Sequence, residues 1–213
     1  MKNILRFIYF TFVILILFLS DLNAQQINLE IDSLSSSTRI SILTSAPWQG
    51  AIYSVFGHSA IRINDPENTI DEVFNYGIFD FDAPNFTWRF ATGETDYIVA
   101  NMPTREYLPE YQWKNVDIYE QILNLTHNEK QKIWNFLLEN IQPENRTYRY
   151  NEVFNNCTTK LTDIIEANIE GEIIYPQDQE PKTYRELISE FTQTKPWLKF
   201  FINIAFGSDA DII

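Results

Sequence analysis

The chain has 213 residues, 45% hydrophobic and 15% aromatic. That is ample apolar matter for one buried core, so global disorder and fibrous classes are excluded. A formal charge of −13 repels phosphate backbones and argues against any nucleic-acid partner. Lys2 and Arg6 flank the apolar run Phe7 to Leu19 (FIYFTFVILILFL), which is shorter than the ~20 residues a membrane span needs. Residues 1–24 therefore read as a signal peptide, with Leu22-Asn23-Ala24 as the cleavage site before Gln25. An uncleaved amino-terminal anchor is the second reading. Residues 25–38, polar and Ser-rich, read as a flexible leader, and residues 39–213 as one domain.

Arg39 to Ser45 (RISILTS) has strand character. The next apolar stretch ends in VFGHSAIRI, where alternation sets Phe56, His58, Ala60 and Arg62 on one face and Gly57, Ser59, Ile61 and Ile63 on the other. The turn cluster from Asn64 to Asn68 leads into a strand over Glu72 to Phe79, so the two strands form a hairpin. Further strands are expected at Trp88 to Phe90, Asp96 to Met102 and Val116 to Asn124. Thr126 with Glu129 three residues later has the form of a capping box, and it opens a helix through Asn140. Asn156 is a favoured cap that places Cys157 in the first turn of another helix, with Leu161, Ile164 and Ile165 at helical spacing. Thr183 and Glu186 cap an amphipathic helix through Phe191. A last apolar helix covers Pro196 to Phe206, with Trp197, Phe200, Phe201 and Ile204 on one face.

The chain holds one cysteine and two histidines. Exported and without a partner for an intramolecular disulfide, Cys157 is either a buried small hydrophobe or a thiol that matters. A helix amino terminus favours an anion and so lowers a thiol's pKa. His58, flanked by Gly57 and Ser59 in a strand, is the better base, because His127 falls in a capping box and reads as exposed. Its plain alternative is a half-buried structural histidine. A third group normally accepts the other imidazole N–H. The paired strand offers Asn75 on one face and Tyr76 on the other, and the Asn75 carbonyl is an acceptor that cannot compete for the proton. One Cys and two scattered His give no metal-ligand spacing, and Asp65, Glu67, Asp80 and Asp82 lack the glycine-punctuated loop of a calcium site. No metal or cofactor is expected. The aromatics Tyr53, Phe79, Phe86, Trp88 and Trp113 are candidates for a lipid or peptide groove, or for the core.

Three ordered motifs, Phe56-Gly57-His58-Ser59-Ala60-Ile61-Arg62-Ile63, Asn75-Tyr76-Gly77-Ile78-Phe79-Asp80-Phe81 and Asn156-Cys157-Thr158-Thr159, resemble the Lnb N-terminal periplasmic domain family of bacterial proteins, from about Arg39 to the end. The resemblance implies an α+β fold of the circularly permuted papain type, an antiparallel sheet with packed helices, related in layout to NlpC-type peptidases and lecithin:retinol acyltransferases. In those enzymes the histidine strand precedes the cysteine helix, as His58 precedes Cys157. The family's namesake is a lipoprotein N-acyltransferase. The implied activity is transfer of a fatty acyl group from a lipid donor to a lipoprotein or peptide amine, in the periplasm and in possible contact with a membrane surface. Cys157, His58 and Asn75 would be catalytic, and Tyr76, Asn156 and Thr158 would contact substrate. The same pair would equally serve a cysteine amidase or peptidase, and a non-catalytic binding module keeping the fold is the third reading.

Overall fold

The computed structural model describes residues 33–51, 54–79, 84–85, 89, 96–151, 153–175, 180–205 and 210–212. The signal peptide expected at residues 1–24 lies outside them. So does the strand expected at Trp88 to Phe90, apart from Arg89, whose backbone N–H donates to the Asn85 carbonyl at 3.0 Å.

Six strands form one sheet: β1 (Arg39–Ser45), β2 (His58–Asp65), β3 (Ile70–Phe79), β4 (Asp96–Pro103), β5 (Ile118–Ile122) and β6 (Thr147–Arg149). Their order is β5-β1-β2-β3-β4-β6, and every neighbouring pair is antiparallel. Five helices accompany them among the described residues: α1 (Thr104–Lys114), α2 (His127–Asn140), α3 (Cys157–Asn168), α4 (Tyr184–Phe191) and α5 (Pro196–Ala205). The architecture is α+β. The expected hairpin is β2 and β3, joined through a turn in which Thr69 takes φ 59°.

Alternation along the strands sorts the side chains into two layers. On one face Leu43, Ala60 and Val73 pack with Tyr107 and Tyr111 of α1. On the other, Phe74 meets Trp134 of α2 edge-on, with ring centroids 6.0 Å apart, and the Tyr76 hydroxyl donates to Asn140 Oδ1 at 2.6 Å. Helix α3 lies on this second face, its Leu161, Ile164 and Ile165 buried and its Thr158 hydroxyl 3.1 Å from that of Ser59. The sheet is thus filled from both sides, which fixes the register of β2 and β3.

Two elements run against the sequence expectations. Helix α1 was not foreseen, because Pro109 sits inside it and its inward residues Tyr107 and Tyr111 make only a narrow stripe. Strand β6 has three residues at a sheet edge, too few for alternation to show. The end of the expected leader is also fastened to the domain. Leu34 is buried, its N–H donates to Gln131 Oε1 at 2.8 Å, and the Ser35 N–H and hydroxyl donate to the two oxygens of Asp65 at 2.7 and 2.5 Å. Asp65 also accepts from the Asn68 side chain at 2.8 Å, so one carboxylate ties the entering chain to the β2–β3 turn.

Candidate active site

His58 is the first residue of β2, and the chain is aimed into that strand by Gly57 at φ +78°, where a Cβ would come 2.5 Å from the Ser45 carbonyl oxygen. Only glycine accepts both conditions. Across the hairpin, β3 and β4 shift register between Tyr76 and Ile78. The residue at this irregularity, Gly77, has φ +146°, and a Cβ on it would lie 3.0 Å from His58 Cε1. The imidazole therefore rests on bare backbone. Its Nε2 lies 2.6 Å from Asn75 Oδ1. An amide oxygen only accepts, so Nε2 carries the proton and Nδ1 is left as the acceptor for the thiol.

Cys157 opens α3. Asn156 is its N-cap, and the Asn156 Oδ1 accepts from the N–H groups of Thr158 and Thr159 at 2.9 and 3.1 Å, while Thr159 Oγ1 accepts from the Asn156 N–H at 2.8 Å. The cap satisfies two of the orphan amides of the first turn and leaves that of Cys157 itself without a partner among the described residues. His58 and Cys157 line the same cavity, and each shifts the titration of the other. Burial disfavours charge on both, yet their mutual attraction outweighs it. The pair's hydrogen bond and charge, then Asn75 and Glu110, hold His58 above its ordinary pKa. The same bond and charge, then the Ser59 N–H and the Thr158 hydroxyl, hold the Cys157 thiol below its own. The arrangement favours thiolate beside imidazolium.

The pair faces a cavity of about 910 Å³. One wall comes from Phe56, Leu187, Ile188 and Phe191, with Phe56 and Phe191 in edge contact at 6.0 Å. Another comes from Phe79, Tyr97 and Tyr150, the two tyrosines stacked at 4.0 Å. Trp48, Glu110, Tyr111 and Lys114 complete it. The volume and the mixture of apolar walls with polar groups are those of a small-molecule site.

The structure brings together most of the residues expected from the sequence. Cys157, His58, Asn75, Asn156 and Thr158 all line the cavity. Tyr76 does not. It is 1% exposed on the opposite face of the sheet, where alternation from Asn75 must put it, and its hydroxyl is spent on Asn140. Its assignment to substrate contact is therefore corrected. His127 is exposed at the start of α2, away from the cavity. Of the aromatic groove candidates Phe79 lines the cavity and Trp113 is 78% exposed, whereas Tyr53, Phe86 and Trp88 lie outside the described residues. Sequence reasoning missed Gly77 under the imidazole and the contribution of α1. The i, i+4 pairs Tyr107/Tyr111 and Glu110/Lys114 were the available signal, obscured by Pro109 inside the helix.

A model of the Lnb N-terminal periplasmic domain matches residues 26–190. The chain belongs to this family. Membership places it in the periplasm, and the matched range begins within the expected leader and ends in α4. No curated protein and no solved structure matches the chain. Among the described residues no helix is long and apolar enough to cross a membrane.

Proposed function

We propose that this family member is a thiol-dependent acyltransferase that works through a thioester. The observation that carries the reading is His58 set between Asn75 and Cys157, with its charge partner acidified at a helix amino terminus, at the wall of a large apolar cavity. The Cys157 thiolate attacks an acyl ester carbonyl. The C–S bond forms, the Cys157 N–H supplies one donor to the oxyanion, and imidazolium His58 gives its proton to the departing alkoxide as the C–O bond breaks. Asn75 holds the ring in the productive tautomer. An amine then takes the acyl group, the C–N bond forming and the C–S bond breaking. Thr158 and the capped Asn156 border the reacting carbon. The order of histidine strand before cysteine helix supports a permuted papain-like layout.

Acyl transfer is favoured over peptide cleavage by the aliphatic and aromatic part of the wall, Phe56, Leu187, Ile188, Phe191 and Phe79, which is complementary to a fatty chain. Contact with a membrane surface is supported by α5, whose Trp197, Phe200 and Ile204 are 75%, 54% and 64% exposed; the side chain of Phe201 lies outside the described residues. Incubation with phospholipid vesicles is expected to add an acyl mass to Cys157 that hydroxylamine removes, and a lipopeptide with a free amino terminus is expected to accept it. Cleavage of cell-wall peptides with no adduct on Cys157 would instead establish an amidase, and a Cys157→Ser protein with unaltered function would establish a binding module.

A further inference from the structure

Glu110 and Lys114 sit one turn apart on α1, and both line the cavity that holds Cys157 and His58. The Lys114 ammonium is salt-bridged to Glu110 Oε1 and lies over two aromatic faces, 4.9 Å from the centroid of Trp48 and 5.6 Å from that of Tyr111. Its side chain is only 8% exposed, whereas that of Glu110 is 58% exposed. Trp48 is not a loose surface ring. A Cβ on Gly50 would fall 2.2 Å from Trp48 Cζ2, so the indole packs against glycine backbone, and its turn is closed by the Trp48 N–H to the Ser54 carbonyl at 2.9 Å. A carboxylate with two aromatic faces is a receptor for a primary ammonium, and the structure shows one in it. Among the described residues lining the cavity, Glu110 is the one carboxylate.

We propose that Glu110, Trp48 and Tyr111 form the acceptor subsite, which recognises the free α-ammonium of the amine that receives the acyl group, with the Lys114 side chain as its resident surrogate. This inference rests on the thioester reading above and adds to it the residues that hold the acceptor amine, presented as a cation. Lys114 shares that chemistry and hangs on a flexible four-carbon stem, so an incoming amino terminus exchanges with it and leaves the exposed Glu110 paired throughout. Trp48, Glu110 and Tyr111 line the same cavity as His58 and Cys157. Of the two protons that the ammonium must lose, Glu110 passes one to solvent and His58 takes the other. The amine nitrogen then bonds to the thioester carbon, the C–S bond breaks, and thiolate beside imidazolium is restored.

The test uses the full domain, p-nitrophenyl hexanoate as an uncharged acyl donor, and a short lipopeptide with a free amino terminus as acceptor, its N-acetyl form serving as control. The quantity read is the ratio of amide product to hexanoic acid, which is internal to the acyl-enzyme and independent of how fast that forms. Glu110→Gln is expected to lower the ratio about tenfold, the worth of one charge-assisted hydrogen bond. Trp48→Ala is expected to lower it as well, and Lys114→Met to preserve or raise it. An unchanged ratio in Glu110→Gln, or an equal fall in Glu110→Gln and Lys114→Met, overturns the subsite and makes the ion pair a support of α1. Wild-type protein that gives no p-nitrophenol burst overturns the thioester reading itself, a result separable from the other two.

Discussion

The acidity of Cys157 has a sign that can be measured. A thiol held below its ordinary value of about 8.5 is ionised at lower pH than an unperturbed one, so alkylation by iodoacetamide is expected to rise through a midpoint below that value. In His58→Ala the midpoint is expected to move up, since the largest favourable influence on the thiolate is gone. His127→Ala is expected to leave it in place. Activity requires thiolate and imidazolium together and is expected to be bell-shaped in pH, bounded below by the Cys157 titration and above by the raised one of His58. Gly77 makes a second, purely steric prediction. In Gly77→Ala the new methyl meets His58 Cε1 at 3.0 Å in a backbone conformation of φ +146°. About 1–3 kcal/mol of stability is expected to be lost, with a larger loss of kcat than of acyl-donor binding, read by denaturant unfolding and burst kinetics.

At the scale of elements, the cap of α3 joins stability to reactivity. Asn156→Ala removes the acceptor for two amides and is expected to cost about 1 kcal/mol. Asn156→Asp keeps the cap but sets a negative charge beside the thiolate. Thermal stability is therefore expected to hold while the alkylation midpoint rises, a separation that a merely structural cap would not show. On the same face of the sheet as α3, Trp134 is fully buried against Phe74, and Trp134→Ala is expected to cost about 3–5 kcal/mol. Elements with their own punctuation were readable in the chain: the capping boxes at Thr126, Asn156 and Thr183 each open the helix expected there, and the β2–β3 alternation separates Asn75 from Tyr76. Elements defined by tertiary contact were not. Helix α1 exists because Tyr107 and Tyr111 find Leu43, Ala60 and Val73 across the sheet, and local propensity interrupted by Pro109 carries no trace of that. The cluster of Cys157, His58 and Asn75 was thus legible from its motifs, whereas Trp48, Glu110 and Lys114 came into view only once α1 was in place.

Across the whole molecule, Asp65 links the amino-terminal segment to the hairpin that carries the base. Hydrogen bonds from Ser35 and Asn68 overcome its burial and hold its pKa far below the usual carboxylate range. A depressed folded-state value stabilises the fold above the unfolded pKa of about 3.9, and the contribution is lost as pH falls through the folded value. Asp65→Asn is therefore expected to unfold at a lower temperature at neutral pH, and the gap from wild type is expected to shrink in acid, as circular dichroism melts would show. The hairpin itself sets an order of assembly. Asn75 and His58 are 17 residues apart, whereas Ser59 and Thr158 are separated by 99. Short-range contacts close first, so His58 and Asn75 are paired before Cys157 arrives. Until α3 docks, Cys157 has neither imidazolium nor helix terminus beside it and keeps the reactivity of an ordinary thiol. A newly exported chain thus crosses into an oxidising compartment with its one thiol dormant, and arms it only on completing its fold.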